Sequence, residues 1–349
     1  MRMTRGSGAD LRENHGSPLP HQHRVTIVTQ TVFALVIAGS LSIASTGFAQ
    51  NYPTKPVRLI APFAPGGPTD IVARVVSQRL GQQLGQTVVV DNRASAGGAI
   101  GCEIAAKSAP DGYTLLLGSS GNLAVAPSLA LRLPYDPVKD FQPITQTTSG
   151  PQIMVVHPSV QAKTVQDFIA LAKTKSGALN YASGGTGMSN HLASELFVMA
   201  AKVSVVHVPY KGTGPALTEL LGGQVQMMMS SLLPAMPHIQ SGRLRGLAVT
   251  SLKRTAALPE IPTMVESGLP GFETTSWHGV LAPIKITKPL ASRLHAELVK
   301  ALTHPEVKTL FANQGMDVVA NTPDEFAAYI KHEAQKWSGV IKTIGLKPQ

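Results

Sequence analysis

The chain has 349 residues, enough for one large or two ordinary domains, with normal apolar content, few charged residues and a net charge of +10. The first 49 residues hold four Arg, one Asp and one Glu, so the remainder carries +8. There is no Lys/Arg-rich run and no interleaving of aromatic and basic residues, which argues against a nucleic-acid partner; the basic balance reads as a solvated surface that also steers anions. Cys102 is the single cysteine, which excludes an intramolecular disulfide and a cysteine-based metal site. Beside Gly101 and ahead of Glu103-Ile104-Ala105-Ala106, it reads as a small buried residue on a helix rather than a nucleophile.

Residues 25–51 carry no charge and follow Arg24 and earlier arginines. Apolar stretches at 32–37 and 41–44 lead to Gly47-Phe48-Ala49, small at −3 and −1 of a cleavage site. Residues 1–49 are therefore expected to be a secretory signal peptide with a long n-region, the mature chain starting near Gln50. An uncleaved membrane anchor is the rival reading, but Thr, Ser and Gln interrupt the run, which falls short of the roughly 20 residues a span needs. No second stretch of spanning length follows, so the mature chain is expected to be soluble and, in a Gram-negative organism, periplasmic.

After Asn51 the pattern alternates strand and helix. Residues 57–60 read as a buried strand and 71–84 as a helix carrying Ile71, Val75, Leu80 and Leu84. Between them lies Ala61-Pro62-Phe63-Ala64-Pro65-Gly66-Gly67-Pro68-Thr69-Asp70, a turn with no bulky side chain near its tip. Glycine there admits positive φ and a close-lying ligand, and the helix behind it would aim free N–H groups and its positive dipole end at an anion. Further strands are expected at 87–90, 113–117, 153–156, 179–182, 203–208, 225–229 and 247–249. Helices are expected at 99–106, from a capping box at Thr164 to Lys173, at 191–201 and at 215–221. Short apolar strands alternating with helices predict parallel sheets covered on both faces, with ligands beyond the carboxyl ends of the strands. The small-residue loops fall there, after Ile60, Leu117, Ala182 and Val208. Near the C-terminus, 289–302 repeats Leu every fourth residue, and Thr322-Pro323-Asp324-Glu325 starts a helix whose Phe326, Tyr329, Ile330 and Trp337 form a packing face.

Motifs for chemistry fail together. Gly118-Ser119-Ser120-Gly121-Asn122 breaks the serine-hydrolase pattern at its last position. The run from Gly184 to Ser189 lacks the Gly-Lys-Ser/Thr ending of a phosphate loop and the third glycine of a dinucleotide fingerprint. His191, His207, His238 and His278 have no metal-ligand spacing, and a histidine at a helix start, such as His191, is more often structural. The expectation is no catalysis, no metal and no cofactor. What remains is N–H and hydroxyl donors: Gly66 and Gly67 on one loop, Gly184, Gly185, Thr186 and Gly187 on another, with Ser119, Ser120 and Ser189. Each glycine loop alone reads as a tight turn; two on successive half-sheets read as a pincer for a carboxylate, whose burial requires such bonds.

Beyond these residues the chain resembles the Bug-type periplasmic solute receptors of tripartite tricarboxylate transporters, almost end to end from Tyr52-Pro53-Thr54-Lys55-Pro56. The resemblance rests on Pro65-Gly66-Gly67-Pro68-Thr69-Asp70, Asp91-Asn92-Arg93 with Gly97-Gly98, Pro110-Asp111-Gly112-Tyr113-Thr114, Tyr181-Ala182-Ser183-Gly184-Gly185-Thr186-Gly187 with His191-Leu192, Val208-Pro209-Tyr210-Lys211-Gly212, and Trp277 with Gly279 and Ala282-Pro283. It implies an α/β, two-lobed type II periplasmic-binding-protein fold with hinged lobes and a ligand cleft between them. Lobe 1 would comprise 50–150 plus 277–349 and lobe 2 would comprise 151–276. The ligand would be a di- or tricarboxylate, an acidic amino acid or an aromatic acid, delivered by a monomeric receptor to the membrane subunits of a transporter. Its contacts would come from Phe63, Ala64, Pro65, Gly66, Gly67, Thr69, Asp70, Ser119, Ser120, Gly184, Gly185, Thr186, Gly187, Ser189, His191, Tyr210 and Lys211. Ala94-Ser95-Ala96, Gln226, Ser230, Ser231 and His278 depart from the family pattern, and the distal wall of the cleft sets ligand choice. A sensor feeding a signalling system, or a hydrolase using Ser120 or Ser189 with His191 as base, are the alternatives.

Overall fold

In the computed structural model residues 52–129 and 132–346 are described; the expected signal peptide lies outside the described residues. Two sheets share one strand. In the first, β1 (Val57–Ala61) lies between β2 (Val88–Asn92) and β3 (Thr114–Ser119), all parallel. Strand β9 (Thr275–Pro283) then runs antiparallel between β3 and β4 (Phe141–Val156), and β10 (Asp317–Val318) adds to β4. In the second sheet the order is β4, β7 (Met227–Ser231), β5 (Asn180–Ser183), β6 (Val206–Pro209), with β8 (Arg245–Val249) also on β4. The sheets are therefore mixed, not purely parallel: β5 is parallel to β6 and β7, while β4 is antiparallel to every neighbour.

Strand β4 is the connecting element. It pairs with β9 from Phe141 through Pro151, then with β7 from Gln152 through Val156. Only its last four residues were legible as a strand, because Thr145, Gln146, Thr147, Thr148 and Gln152 are polar and nevertheless buried. Apart from the Thr147 hydroxyl, which has no partner, their polar atoms are accommodated because partners arrive from distant segments: Thr145 Oγ1 donates to Asn321 O, and the Gln146 N–H to Asn321 Oδ1. Pro143 stands where the register shifts, a position that tolerates the missing donor. Strand β9 escaped the sequence reading for the same reason, being built from Ser276, His278 and Gly279 as much as from apolar residues.

Helix α1 (Pro68–Leu84) begins three residues earlier than expected, with Pro68 at its first position. It buries Val72, Ala73, Val76 and Leu80, leaving Ile71, Val75 and Leu84 half-buried, and stops at left-handed Gly85. Helix α2 (Ala99–Ala106) follows, then a π-helical turn at Gly121–Val125 and α3 (Ala126–Leu129), neither of them expected. Helix α4 (Val165–Thr174) carries the Thr164–Asp167 capping box. Helices α5 (Ser189–Ala201) and α6 (Thr213–Leu221) start two residues early; α7 (Leu232–Gln240) and α9 (Pro305–Ala312) are additional, and α8 (Lys288–Thr303) matches the leucine repeat. Helix α10 (Pro323–Ile344) begins with the expected box between Thr322 and Glu325.

Period-two alternation along β4 divides the second core: Met154 and Val156 pack with Phe168, Tyr181 and Phe197 on one face, Ile153 and Val155 with Leu217, Met228 and Met236 on the other. In the first core Ile60, Leu116 and Leu281 meet Phe326, Ile330 and Trp337 of α10. Cys102 is fully buried there, and burial pushes its thiol up to about 12, where it is no nucleophile. Buried Glu333 accepts from both Trp277 Nε1 (3.1 Å) and Trp337 Nε1 (3.2 Å). An orphaned buried donor costs about 1–3 kcal/mol, so Glu333→Ala is expected to lower unfolding free energy by about 3 kcal/mol in urea titrations; a loss below about 1 kcal/mol would refute this role.

Candidate functional site

The loop after β1 is organised by Asp70. Its Oδ2 accepts from the Gly66 N–H (3.0 Å) and Arg74 Nε (3.0 Å), and its Oδ1 from Asn92 Nδ2 (3.1 Å), which also donates to Phe63 O. Burial acts to raise the carboxyl's pKa, but these donors outweigh it and hold Asp70 below its ordinary value. Gly66 sits at φ +81°, a conformation that favours glycine.

The glycine loop after β5 is likewise satisfied from within. The Gly184 N–H donates to Asn190 Oδ1 (3.3 Å), Gly185 N–H to Ser183 Oγ (3.1 Å) and Gly187 N–H to His191 Nδ1 (3.2 Å). Most glycine donors expected to grip an anion are thus spent on shaping their own loops. His191 stacks on His207 at 4.2 Å, and His207 on Tyr181 at 4.9 Å. Its Nδ1 is engaged by Gly187, so it serves neither Ser120 nor Ser189 as a base. Burial, then the neighbouring His207, depress His191 to about 3; burial alone depresses His278 to about 4. Unfolded histidine titrates near 6.5, so the unfolded chain binds the extra protons between that pH and the folded values. Stability is therefore complete above about pH 6.5 and falls as the pH drops, by up to about 1.4 kcal/mol per pH unit for each of these two groups. Denaturant midpoints at pH 7 and pH 5 should show it; equal midpoints would refute it.

The two loops meet at chain segments from opposite sheets. The Ala64 N–H donates to Lys211 O (3.4 Å), a Cβ on Gly212 would lie 3.1 Å from Ala64 N, and one on Gly214 would lie 2.3 Å from Pro65 O. Phe63, Ala64, Pro65 and Gly67 thus face the 212–214 turn. Tyr210 anchors that turn through its N–H to Ser183 O, and the Lys211 side chain is exposed.

Behind this contact lies a cavity of ≈ 10 Å³, about the least that holds one water. Its wall is Pro68 and Thr69 from the start of α1, Met188, Ser189 and Asn190 from the start of α5, Thr213 from the start of α6, and Ser231 before α7. Ser119 at the end of β3, Gln152 on β4, and Ser276 and His278 on β9 complete it. No lining side chain is an acid, a lysine or an arginine. Four helix N-termini converge here and none is closed by a side-chain cap, whereas α4 and α10 close theirs with capping boxes. Their first-turn N–H groups and dipoles make a site for negative charge. Asn190 adds a donor: its Oδ1 is tied to Gly184, which identifies Nδ2 as the other amide atom, and that buried nitrogen has no partner. Gln152 spans the wall, donating to Ser189 Oγ (3.2 Å) and accepting from Thr274 Oγ1 (3.2 Å).

Of the residues singled out from sequence, Thr69, Ser119 and Ser189 line the cavity. Ser120 is buried with an unpartnered hydroxyl outside that wall, and the Thr186 carbonyl lies against Gly97. Pro68 is marked by the sequence only within its loop, and Ser231 and His278 only as departures from the family pattern; Gln152, Met188, Asn190, Thr213 and Ser276 were missed. Helix starts without a capping side chain were the available signal for Met188, Asn190 and Thr213. Among the described residues no group of three His, Cys, Asp or Glu is placed to hold a metal ion, and no helix is long and apolar enough to cross a membrane.

Two α/β sheets sharing a crossing strand, with helix N-termini turned on a cavity between them, define a periplasmic binding protein of type II fold. The chain belongs to the tripartite tricarboxylate transporter receptor family (TctC), which matches residues 72–346 and is a family of solute-binding receptors. It is similar to the protein BugT of Bordetella pertussis, 39% identical over 313 residues that cover 89% of this chain and 96% of the relative. Two solved structures are close in fold. The R. palustris protein Rpa4515 with adipate is 33% identical, with a TM-score of 0.84, covering 85% of this chain and all of that one. MatC from Rhodopseudomonas palustris with bound malate is 32% identical, with a TM-score of 0.80, covering 83% of this chain and all of that one.

Proposed function

We propose that this chain is an exported, non-catalytic receptor that captures a small carboxylate between its two sheets and delivers it to the membrane subunits of a tripartite tricarboxylate transporter. One observation carries the reading: four uncapped helix N-termini and the free amide of Asn190 surround a single buried cavity that contains no charged side chain. Helix dipoles and N–H groups bind an anion without a counter-ion that would hold it too tightly for release. The adipate and malate in the two structural neighbours agree with a carboxylate.

The lobes of this reading are 50–150 with 277–349, and 151–276, after removal of residues 1–49. The change of pairing partner between Pro151 and Gln152, and the return of the chain at Thr275, support these boundaries. The present cavity admits no dicarboxylate, so binding requires the lobes to part and close again about β4 and the segment leading to β9, a hinge motion. The acid is held by Thr69, Ser189, Asn190 and Thr213 with the N–H groups beside them, while Asp70, His191 and the Gly66, Gly184, Gly185 and Gly187 amides shape the loops.

Calorimetric titration of the purified protein with malate, succinate, adipate, glutamate and benzoate tests this. A ligand at 100 times its dissociation constant should also raise unfolding free energy by about 2.7 kcal/mol. Failure of every acid to bind to folded, ligand-free protein would overturn it.

A further inference from the structure

The cavity has two unlike walls. One is the ring of helix starts. The other belongs to the first sheet and is made of Ser119, Ser276 and His278. His278 sits at its centre, in register with Ser119 on β3 and with Thr148 on β4, and is 1% exposed. Thr148 Oγ1 lies 3.3 Å from His278 Nδ1. With that hydroxyl donating, the ring proton resides on Nε2, which has no hydrogen-bond partner among the described residues.

We propose that His278 selects the ligand by its far end, donating from Nε2 to an oxygen there while Thr148 holds the ring's tautomer. This rests on the carboxylate-receptor reading and adds the residue that discriminates among acids. An ammonium group at that end would find no carboxylate on the wall, since none lines the cavity. A methyl group or aromatic ring would leave the imidazole and the Ser276 hydroxyl without partners, whereas the Ser119 hydroxyl already donates to Asn122 Oδ1; unpaired buried polar groups are what reject an analogue most strongly. A short acid with a hydroxyl or carboxyl oxygen at the far end satisfies both.

The test compares succinate, butyrate and aspartate by calorimetry on the whole processed protein, as wild type, His278→Leu, His278→Gln and Thr148→Val. Wild type should favour succinate over both others by about tenfold or more. His278→Leu should bring the succinate-to-butyrate ratio to about threefold or less by weakening succinate alone, and His278→Gln, which keeps a donor near the Nε2 position, should restore part of it. Thr148→Val should lower the ratio with the ring still present, which keeps the proposal falsifiable if His278→Leu does not fold. A ratio unchanged in the folded variants, or an equal loss for both acids, would overturn the role of His278. If wild type binds none of the three acids or the wider panel, the receptor reading fails instead.

Discussion

Gly214→Val is expected to weaken carboxylate binding by about 100-fold while leaving the chain folded. A Cβ at this position would lie 2.3 Å from the Pro65 carbonyl oxygen, a backbone atom that has no alternative position while the two loops touch. The clash exists only where the 62–67 loop of one sheet meets the 210–214 turn of the other, so it is relieved when they part. A closed state reduced to about 1% of the population lowers apparent affinity by the same factor. Gly67→Val meets milder contacts, 3.3 Å to Gly214 N and 3.4 Å to Thr213 Cβ, and should do less. Gly339→Ala, with nothing within 4 Å of the added carbon, is the control. Titration calorimetry reads the affinity, and solution scattering should show that the ligand no longer compacts the Gly214 variant. Wild-type affinity in Gly214→Val would mean that these loops need not meet for binding.

Asn190→Asp is expected to be more damaging than Asn190→Ala, although it is the smaller change in shape. The aspartate keeps an oxygen to accept from the Gly184 N–H, so the loop after β5 keeps its form. It replaces the free Nδ2 donor with a second acceptor carrying negative charge, at the point where the carboxylate would lie. Loss of one hydrogen bond to a charged group costs about 1.5–3 kcal/mol, which sets Asn190→Ala at roughly tenfold to 150-fold. Like-charge repulsion in a site without a compensating cation should carry Asn190→Asp to about 1,000-fold. Equal effects of the two substitutions, or stronger binding in the aspartate variant, would show that the ligand at Asn190 is not an anion.

Much of this was written locally. The strand–loop–helix unit at 57–84 shows in its apolar run, its glycines and Pro68, because turn chemistry and first-turn preferences act within a few residues. The Thr164 and Thr322 boxes are equally local and stand where expected. The polar strands β4 and β9 were not legible, since a run such as Thr145-Gln146-Thr147-Thr148 becomes a buried strand only when partners from distant segments take up most of its polar atoms. Thr69, Ser119 and Ser189 were readable as lining candidates from their loops; Gln152 was not, because nothing near it in the chain marks it, and His278 stood out only as a departure from the family pattern, with no role assigned.

The sequence by itself determined an α/β chain with glycine-rich turns leading into helices, and hence where helix dipoles could gather around an anion. Only the tertiary structure decided which donors remain for a ligand. A backbone N–H is free or spent according to what folds against it: Gly184 is spent on Asn190 and Gly187 on His191, while Asn190 Nδ2 is left over. His278 likewise acquires its neighbour Thr148 across 130 residues of sequence. Hydrogen bonds saturate, and the tally of those still open is settled only when every partner is in place.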